Sequence, residues 1–324
     1  MNESGAKRAS SAARAADRPT GRRRGDRIVG SSRAIQTVIE QVVAASASEL
    51  PVQVCGPPGS GKEHAARAIH AWSANARGPL VVFSAAGVPQ ALLGRELFGC
   101  AASTYPSLPE AHQGALQRAA GGTLLIDHAE TLSSELLQAL SKALEGKRFQ
   151  REGDASPLSL SARVIAISPE PLSPSPFSDQ PHHDVNLPNL AQRSEDVLPL
   201  ATHFLALHAE ASGVEPVGFT SDARAALVAE SWAGNVRELS ERVEQALRLS
   251  AHGAISAEAL ALSAQPEEVP SFKDAKRAFE RRYVMGLLRR CEGNISRAAR
   301  LAKKDRKDFY DVIRRTGVDP ADFR

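Results

Sequence analysis

The residues best suited to hold a phosphate are Gly56-Pro57-Pro58-Gly59-Ser60-Gly61-Lys62-Glu63. Glycines let successive backbone N–H groups turn inward, and a helix N-terminus behind them adds the positive end of its dipole. Lys62 sits at the spacing from which an ammonium reaches the outer phosphates of a nucleotide. Glu63 stands where the general pattern has a Ser or Thr to hold Mg²⁺. The plainer alternative is a Gly/Pro-rich turn. The flanks argue against it, because an apolar run over 51–55 precedes the loop and a helical pattern over 63–70 follows it. A second stretch, Gly121-Gly122-Thr123-Leu124-Leu125-Ile126-Asp127, reads as an apolar strand ending in a carboxylate. Downstream of a phosphate loop, such a carboxylate orders Mg²⁺ through its waters. The next residue is His128.

Two other groups invite a chemical reading. His182-His183-Asp184 has metal-binding residue types, but adjacent side chains rarely converge on one ion and no third ligand is placed by spacing. These three are read as loop residues. Near the C-terminus, Asn294 and Asp305 are plausible N-caps for helices over Ile295–Ala302 and Arg306–Arg315. A short helix, a tight turn and a second basic helix make a helix-turn-helix. On the second helix Phe309, Val312 and Ile313 take the inward spacing, leaving Arg306, Lys307, Asp311, Arg314 and Arg315 outward. A solvated charged face is the bland alternative. Trp72 and Trp232 read as core.

The elements that must position these groups follow from length and patterning. A chain of 324 residues suggests two or three domains. Net charge is uneven: +5 over 1–27, −10 over 28–270 and +8 over 271–324. An acidic body with a basic end points to nucleic acid at that end. Residues 1–27 hold almost no large apolar side chains and are expected to be disordered. Strands over 51–55, 79–84, 121–127 and 162–168 alternate with helical patterns, which predicts a parallel sheet covered by helices. The proline-rich stretch 168–188 reads as loop. From 194 to 264 the period is helical, with Val197, Leu198, Ala201, Phe204, Leu205 and Leu207 on one apolar face. Residues 265–270 read as a linker. The helix Phe272–Cys291 carries Phe279, Tyr283 and Leu287 at four-residue steps. Cys55, Cys100 and Cys291 lie far apart, as reduced thiols of a cytosolic protein would. No apolar run reaches the roughly 18 residues of a membrane span, and the arginine-bearing N-terminus lacks the apolar stretch of a secretory signal.

Taken in order, these pieces resemble the bacterial enhancer-binding proteins, the AAA+ activators of sigma-54 RNA polymerase with a Fis-type DNA-binding tail. The resemblance rests on Ile28-Val29-Gly30-Ser31-Ser32, Gly56–Glu63, Glu96-Leu97-Phe98-Gly99, Gly121–Asp127, Leu187-Pro188, Glu195-Asp196, Trp232–Leu239 and Gly293–Leu301, and spans about residues 28–320. It implies an α/β AAA+ nucleotide-binding subdomain over 28–190 and a helical lid over 191–264. The linker 265–270 and a Fis-type helix-turn-helix domain over 271–324 would follow. The basic tail 1–27 stands where the family carries a sensory domain. The resemblance further implies ATP or ADP with Mg²⁺, held by Gly56, Pro57, Pro58, Gly59, Ser60, Gly61, Lys62, Glu63, Asp127 and Arg237. Arg237 matches the family's second sensor, and the family's own loop also ends Lys-Glu. Implied partners are double-stranded DNA, sigma-54 RNA polymerase and further copies of the chain, as a dimer through the C-terminal helices or a ring through the AAA+ domain. The implied location is the cytoplasm.

The departures bear on activity. The family's Gly-Ala-Phe-Thr-Gly-Ala loop, which touches the sigma factor, is here Ser103-Thr104-Tyr105-Pro106-Ser107-Leu108, with an aromatic kept only at Tyr105. The family's water-activating Glu is His128, and its sensor Asn is Ser168. The segment that carries arginine fingers reads Phe177-Ser178-Asp179-Gln180-Pro181-His182-His183-Asp184, without arginine. Lys303 stands where the family has a turn glycine. A general base contributes on the order of 10²–10⁴ in rate and an arginine finger about 10³–10⁵. The expectation is a DNA-binding regulator whose AAA+ domain binds nucleotide with impaired hydrolysis. A working ATPase that remodels the polymerase, alone or as a subunit of a mixed ring, is the alternative.

Overall fold

The computed structural model describes residues 27–104, 110–215, 217–250, 253–264, 272–291 and 293–323. The tail 1–26, Tyr105 with its neighbours 106–109, and the expected linker 265–270 lie outside the described residues. The chain divides into two compact units, 1–257 and 258–324.

The first unit is built on five parallel strands, β1 (Val52–Cys55), β2 (Leu80–Ser84), β5 (Thr123–Asp127), β8 (Arg163–Ser168) and β9 (His183–Asn186), in the order β2-β5-β8-β1-β9. Side chains alternate faces along a strand, so each central strand feeds two cores. Leu124 and Ile126 of β5 and Val164 and Ala166 of β8 face Leu93, Leu97, Leu116, Leu140, Leu144 and Phe177. Leu125, Ile165 and Ile167 face the other way, onto Ile35, Val38, Val42, Ala66 and Ile69. Burying such a side chain contributes about 1.5–3 kcal/mol, so the sheet is fixed from both sides.

The helices covering the sheet start where the sequence supplies caps. Ser32 Oγ accepts from the Ile35 N–H at 3.2 Å to open α1 (Arg33–Ser46), whose Ile35, Val38, Val42 and Ala45 are buried. Ser133 caps α5 (Ser134–Gly146) in the same way. Helix α2 (Lys62–Trp72) follows the phosphate loop, and α3 (Leu93–Phe98) and α4 (Ala115–Arg118) flank the short antiparallel pair β3 (Gly99–Cys100) and β4 (His112–Gln113). Gly99 is at φ 93°, and a Cβ there would lie 2.6 Å from the His112 carbonyl, which accounts for the glycine in Glu96-Leu97-Phe98-Gly99. A second antiparallel pair, β6 (Arg148–Phe149) and β7 (Leu158–Ser159), lies beyond α5.

The stretch 168–188 is not all loop. His183–Asn186 forms edge strand β9, parallel to β1, with Val52 opposite His183 and Val54 opposite Val185. Only Val185 of this strand is buried, so its pairing, not its composition, makes it a strand. Helices α6 (Val197–Ser212), α7 (Ser221–Ala229) and α8 (Asn235–Leu249) complete the unit. The buried face of α6 is Val197, Leu200, Ala201, Leu205 and Ala209. Leu207 lies off that face at 49 % exposure, contrary to the reading of its spacing. Trp232 is core, donating its indole N–H to the Leu227 carbonyl at 2.9 Å, with Arg242 stacked on its ring.

Helix α9 (Ala257–Ala264), in the second unit from Glu258 on, is followed by α10 (Phe272–Arg290), α11 (Ile295–Leu301) and α12 (Arg306–Thr316). The last three enclose Val284, Leu287, Leu288, Cys291, Ala298, Ala299, Phe309 and Ile313. Asn294 and Asp305 cap α11 and α12 through the N–H groups of Arg297 and Lys307. Among the described residues, no helix is long and apolar enough to cross a membrane. The cysteines are free and buried.

Candidate functional site

A cleft of about 860 Å³ opens at the C-terminal ends of the strands, between the phosphate loop and the α6–α8 helices. Ligands of open parallel sheets bind at this end of the strands. Pro58, Gly59, Ser60, Gly61, Lys62, Glu63, Asp127, His128 and Arg237 all line the cleft. The fold therefore brings together residues separated by up to 179 positions of sequence. Gly56 and Pro57 enter as acceptors: Lys62 Nζ donates to the Gly56 carbonyl at 2.6 Å and to the Pro57 carbonyl at 3.1 Å.

The phosphate end of the cleft is cationic and rich in donors. Gly56, Gly59 and Gly61 have φ of 153°, 74° and 101°, the last two in the left-handed region. First-turn N–H groups of a helix have no intrahelical acceptor, and in α2 no capping side chain takes them. Among the described residues, Ser60 Oγ and Arg193 Nε are buried without a hydrogen-bond partner. Burial holds the Lys62 ammonium below the usual lysine range, against the raising pull of Asp127 and Glu130. These donors, with the Lys62 ammonium beside them, fit the oxygens of a phosphate chain. Asp127, part exposed at the end of β5, is the carboxylate of the set that fits a hydrated Mg²⁺.

His128 leaves β5 in the left-handed region, at φ 56°. Its Nδ1 lies 3.1 Å from Glu130 Oε1 and its Nε2 3.8 Å from Asp127 Oδ2. Ser168, in the sensor position, is buried and donates to the Glu170 carbonyl. His182 lies 3.6 Å from Asp184, and no group of three His, Cys, Asp or Glu among the described residues is placed to hold a metal.

The other end of the cleft is lined by Arg27, Ile28, Val29, His64, His203 and Phe204. His64 Nε2 is 3.1 Å from the Arg27 carbonyl. Burial, and then His64 and Arg27, push His203 below its ordinary value. Sequence reasoning missed three contributors. Arg193, 4 % exposed, donates from Nη2 to the Ser60 carbonyl at 3.0 Å. Asn235 donates to the Pro58 carbonyl at 2.9 Å. Asp196, fully buried, accepts from the N–H groups of Ser31 and Ser32 and from Ser32 Oγ. Of these, Asp196 and Asn235 had a signal, in the Glu195-Asp196 pair at the start of a helical pattern and in the segment Trp232–Leu239.

In the second unit, Arg306, Lys307, Asp311 and Arg314 are exposed along α12, and Tyr310 lies among them at 54 % exposure. Arg315 is exposed but pairs with Glu280 of α10 at 2.6 Å. Lys303, in the turn before α12, has φ 51°. Phe279 and Tyr283 stack at 6.1 Å on the outside of α10, 62 % and 47 % exposed, while Leu287 reaches the core.

Residues 28–179 match the sigma-54 interaction domain family, and residues 191–276 match the AAA+ ATPase lid domain family. The chain is 31 % identical over 309 residues to the transcriptional regulatory protein GlrR of Escherichia coli strain K12, covering 92 % of this chain and 69 % of that protein. It is 32 % identical to the nitrogen assimilation regulatory protein NtrX of Azorhizobium caulinodans, covering 90 % and 69 %. The crystal structure of NtrX from Brucella abortus in complex with ADP superposes with a TM-score of 0.64 at 28 % identity, covering 96 % of this chain and 72 % of that one. The same protein in complex with ATP gives the same score.

Proposed function

Because the chain belongs to the family of sigma-54-dependent transcriptional regulators, we propose that it is a DNA-binding regulator whose AAA+ unit holds ATP or ADP and, by itself, hydrolyses ATP at close to background rate. The observation that carries this reading is the cleft in which Gly59, Gly61, Lys62, Asp127 and Arg237 meet. The loop amides and Lys62 would hold the outer phosphates, Asp127 would order Mg²⁺ through water, and Arg237 would approach from the lid. Bound Mg²⁺ would neutralise charge on the phosphate oxygens. The ADP and ATP complexes of the Brucella NtrX support this assignment. Calorimetric titration with Mg-ADP and Mg-ATP tests it; heats no larger than dilution would reject it.

Slow hydrolysis rests on two residue changes. His128 follows Asp127 where a carboxylate base is expected, and the segment 177–184 contains no arginine to reach a neighbouring subunit. A second reading, a working ATPase that remodels sigma-54 polymerase alone or in a mixed ring, is favoured by the His128–Glu130 contact, since a carboxylate-held imidazole can accept a proton. ATP turnover measured alone and mixed with a complete relative separates the two.

DNA binding is assigned to the second unit, read as a Fis-type helix-turn-helix. Helix α12 would enter the major groove with Arg306, Lys307, Asp311, Arg314 and Arg315 toward the DNA. The exposed Phe279–Tyr283 stack supports a two-fold contact between copies through α10, and so a palindromic site.

A further inference from the structure

Three consecutive carbonyls of the phosphate loop each accept a hydrogen bond from the α6–α8 lid or the segment that leads into it. Pro58 O receives Asn235 Nδ2 at 2.9 Å, Gly59 O receives the Arg237 N–H at 3.1 Å, and Ser60 O receives Arg193 Nη2 at 3.0 Å. The two carbonyls before them, of Gly56 and Pro57, are taken by Lys62. The loop's acceptor side is thus tied down along its whole length. A trans peptide is planar, with its N–H opposite its C=O. Fixing the carbonyls of residues 58 and 60 therefore also fixes the directions of the Gly59 and Gly61 N–H groups. Contact is close enough to involve main chain: a Cβ on Gly59 would lie 2.1 Å from the Gly234 carbonyl.

Asn235 is the centre of this contact. It is 4 % exposed and holds φ 58°, a left-handed conformation that Asn tolerates better than most residues. Its Oδ1 accepts from the Leu190 N–H at 2.8 Å while Nδ2 donates to Pro58. One side chain therefore joins the phosphate loop, the segment entering the lid and the first turn of α8. It does not line the cleft, whereas Arg193 and Arg237 do.

We infer that Asn235 is a positioning residue for nucleotide binding, which shapes the phosphate loop from behind through the Pro58 carbonyl, with Arg193 and the Arg237 backbone completing a three-carbonyl latch. The inference rests on the nucleotide reading of the cleft. It makes lid placement and nucleotide affinity reciprocal: whatever draws the lid from the loop weakens nucleotide binding, and bound nucleotide holds the lid.

The test uses the full chain with Asn235→Ala and Asn235→Asp. The aspartate keeps the acceptor for Leu190 N–H and removes the donor to Pro58, so a role confined to holding the lid segment would be spared in it. Binding of a fluorescent ADP and hydrogen exchange over residues 56–62 in nucleotide-free protein are both read. Both variants are expected to bind at least tenfold more weakly and to exchange faster over 56–62, with thermal melting retained. Unchanged loop exchange in either variant overturns the latch, as does affinity within twofold of wild type. If Asn235→Ala fails to melt cooperatively, Asn235→Asp decides alone, read by the same two measurements. Wild-type protein that binds no ADP would reject the nucleotide reading, while the exchange comparison would still decide whether the lid shapes the loop.

Discussion

His128 is set between two carboxylates, its Nδ1 3.1 Å from Glu130 Oε1 and its Nε2 3.8 Å from Asp127 Oδ2. One ring nitrogen thus faces the last residue of β5 and the other a carboxylate just beyond it. ATP turnover by the wild-type chain is expected near background, and His128→Glu alone should change it little, because no arginine occupies 177–184. Mixed with a complete relative, His128→Glu should turn over faster than wild type. Phosphate release reads both. Steady wild-type turnover of about 1 s⁻¹, ordinary for an enzyme, would contradict the assignment.

Lys62→Ala removes the ammonium expected at the outer phosphates. Nucleotide affinity should fall by at least tenfold, equivalent to about 1.4 kcal/mol. Calorimetry on both proteins checks this, and equal heats would place the phosphates elsewhere.

Asp196 joins the start of the first unit to the start of α6. Replacing it with Ala leaves the Ser31 and Ser32 N–H groups without their acceptor. The expected destabilisation is about 3 kcal/mol, and Asp196→Asn should recover part of it by still accepting one bond. Both tryptophans, Trp72 and Trp232, lie in the first unit. Urea unfolding followed by tryptophan fluorescence therefore reports this unit, and an unmoved midpoint would show that the contact contributes nothing.

Arg314→Ala should weaken DNA binding more than Arg315→Ala, because Arg315 is already paired with Glu280. The double change of Arg306 and Lys307 to Ala should cost about 1–3 kcal/mol per base contact. Each phosphate contact removed should lower the salt slope by about 0.9. Gel-shift titrations across salt concentrations decide, and unchanged affinity in the double variant would mean that another helix enters the groove.

The parts of this molecule that were legible in the sequence are those fixed by neighbours in the chain. Glycine spacing, a strand ending in Asp127 and the caps Asn294 and Asp305 are local signals, and each element forms where they place it. Strand β9 was not legible, because His183-Asp184-Val185-Asn186 has one apolar residue and becomes a strand only beside β1. Arg193, and the contact made by Asn235 within Trp232–Leu239, were hidden for the same reason: their partners Ser60 and Pro58 lie 133 and 177 positions away. Leu207 misled because spacing counts apolar residues without saying which arc of the helix meets the core.

Lys303 holds the turn before α12 at φ 51°, a conformation that glycine adopts freely and that costs a side-chain-bearing residue about 1–2 kcal/mol. The folded second unit is therefore less robust than a glycine would make it, and what it gains is an ammonium at the corner leading into α12. Heat tolerance and the proposed grip on DNA pull this single position in opposite directions. A lineage of this chain living hotter could acquire Lys303→Gly with little rearrangement, and would give up one cation beside α12.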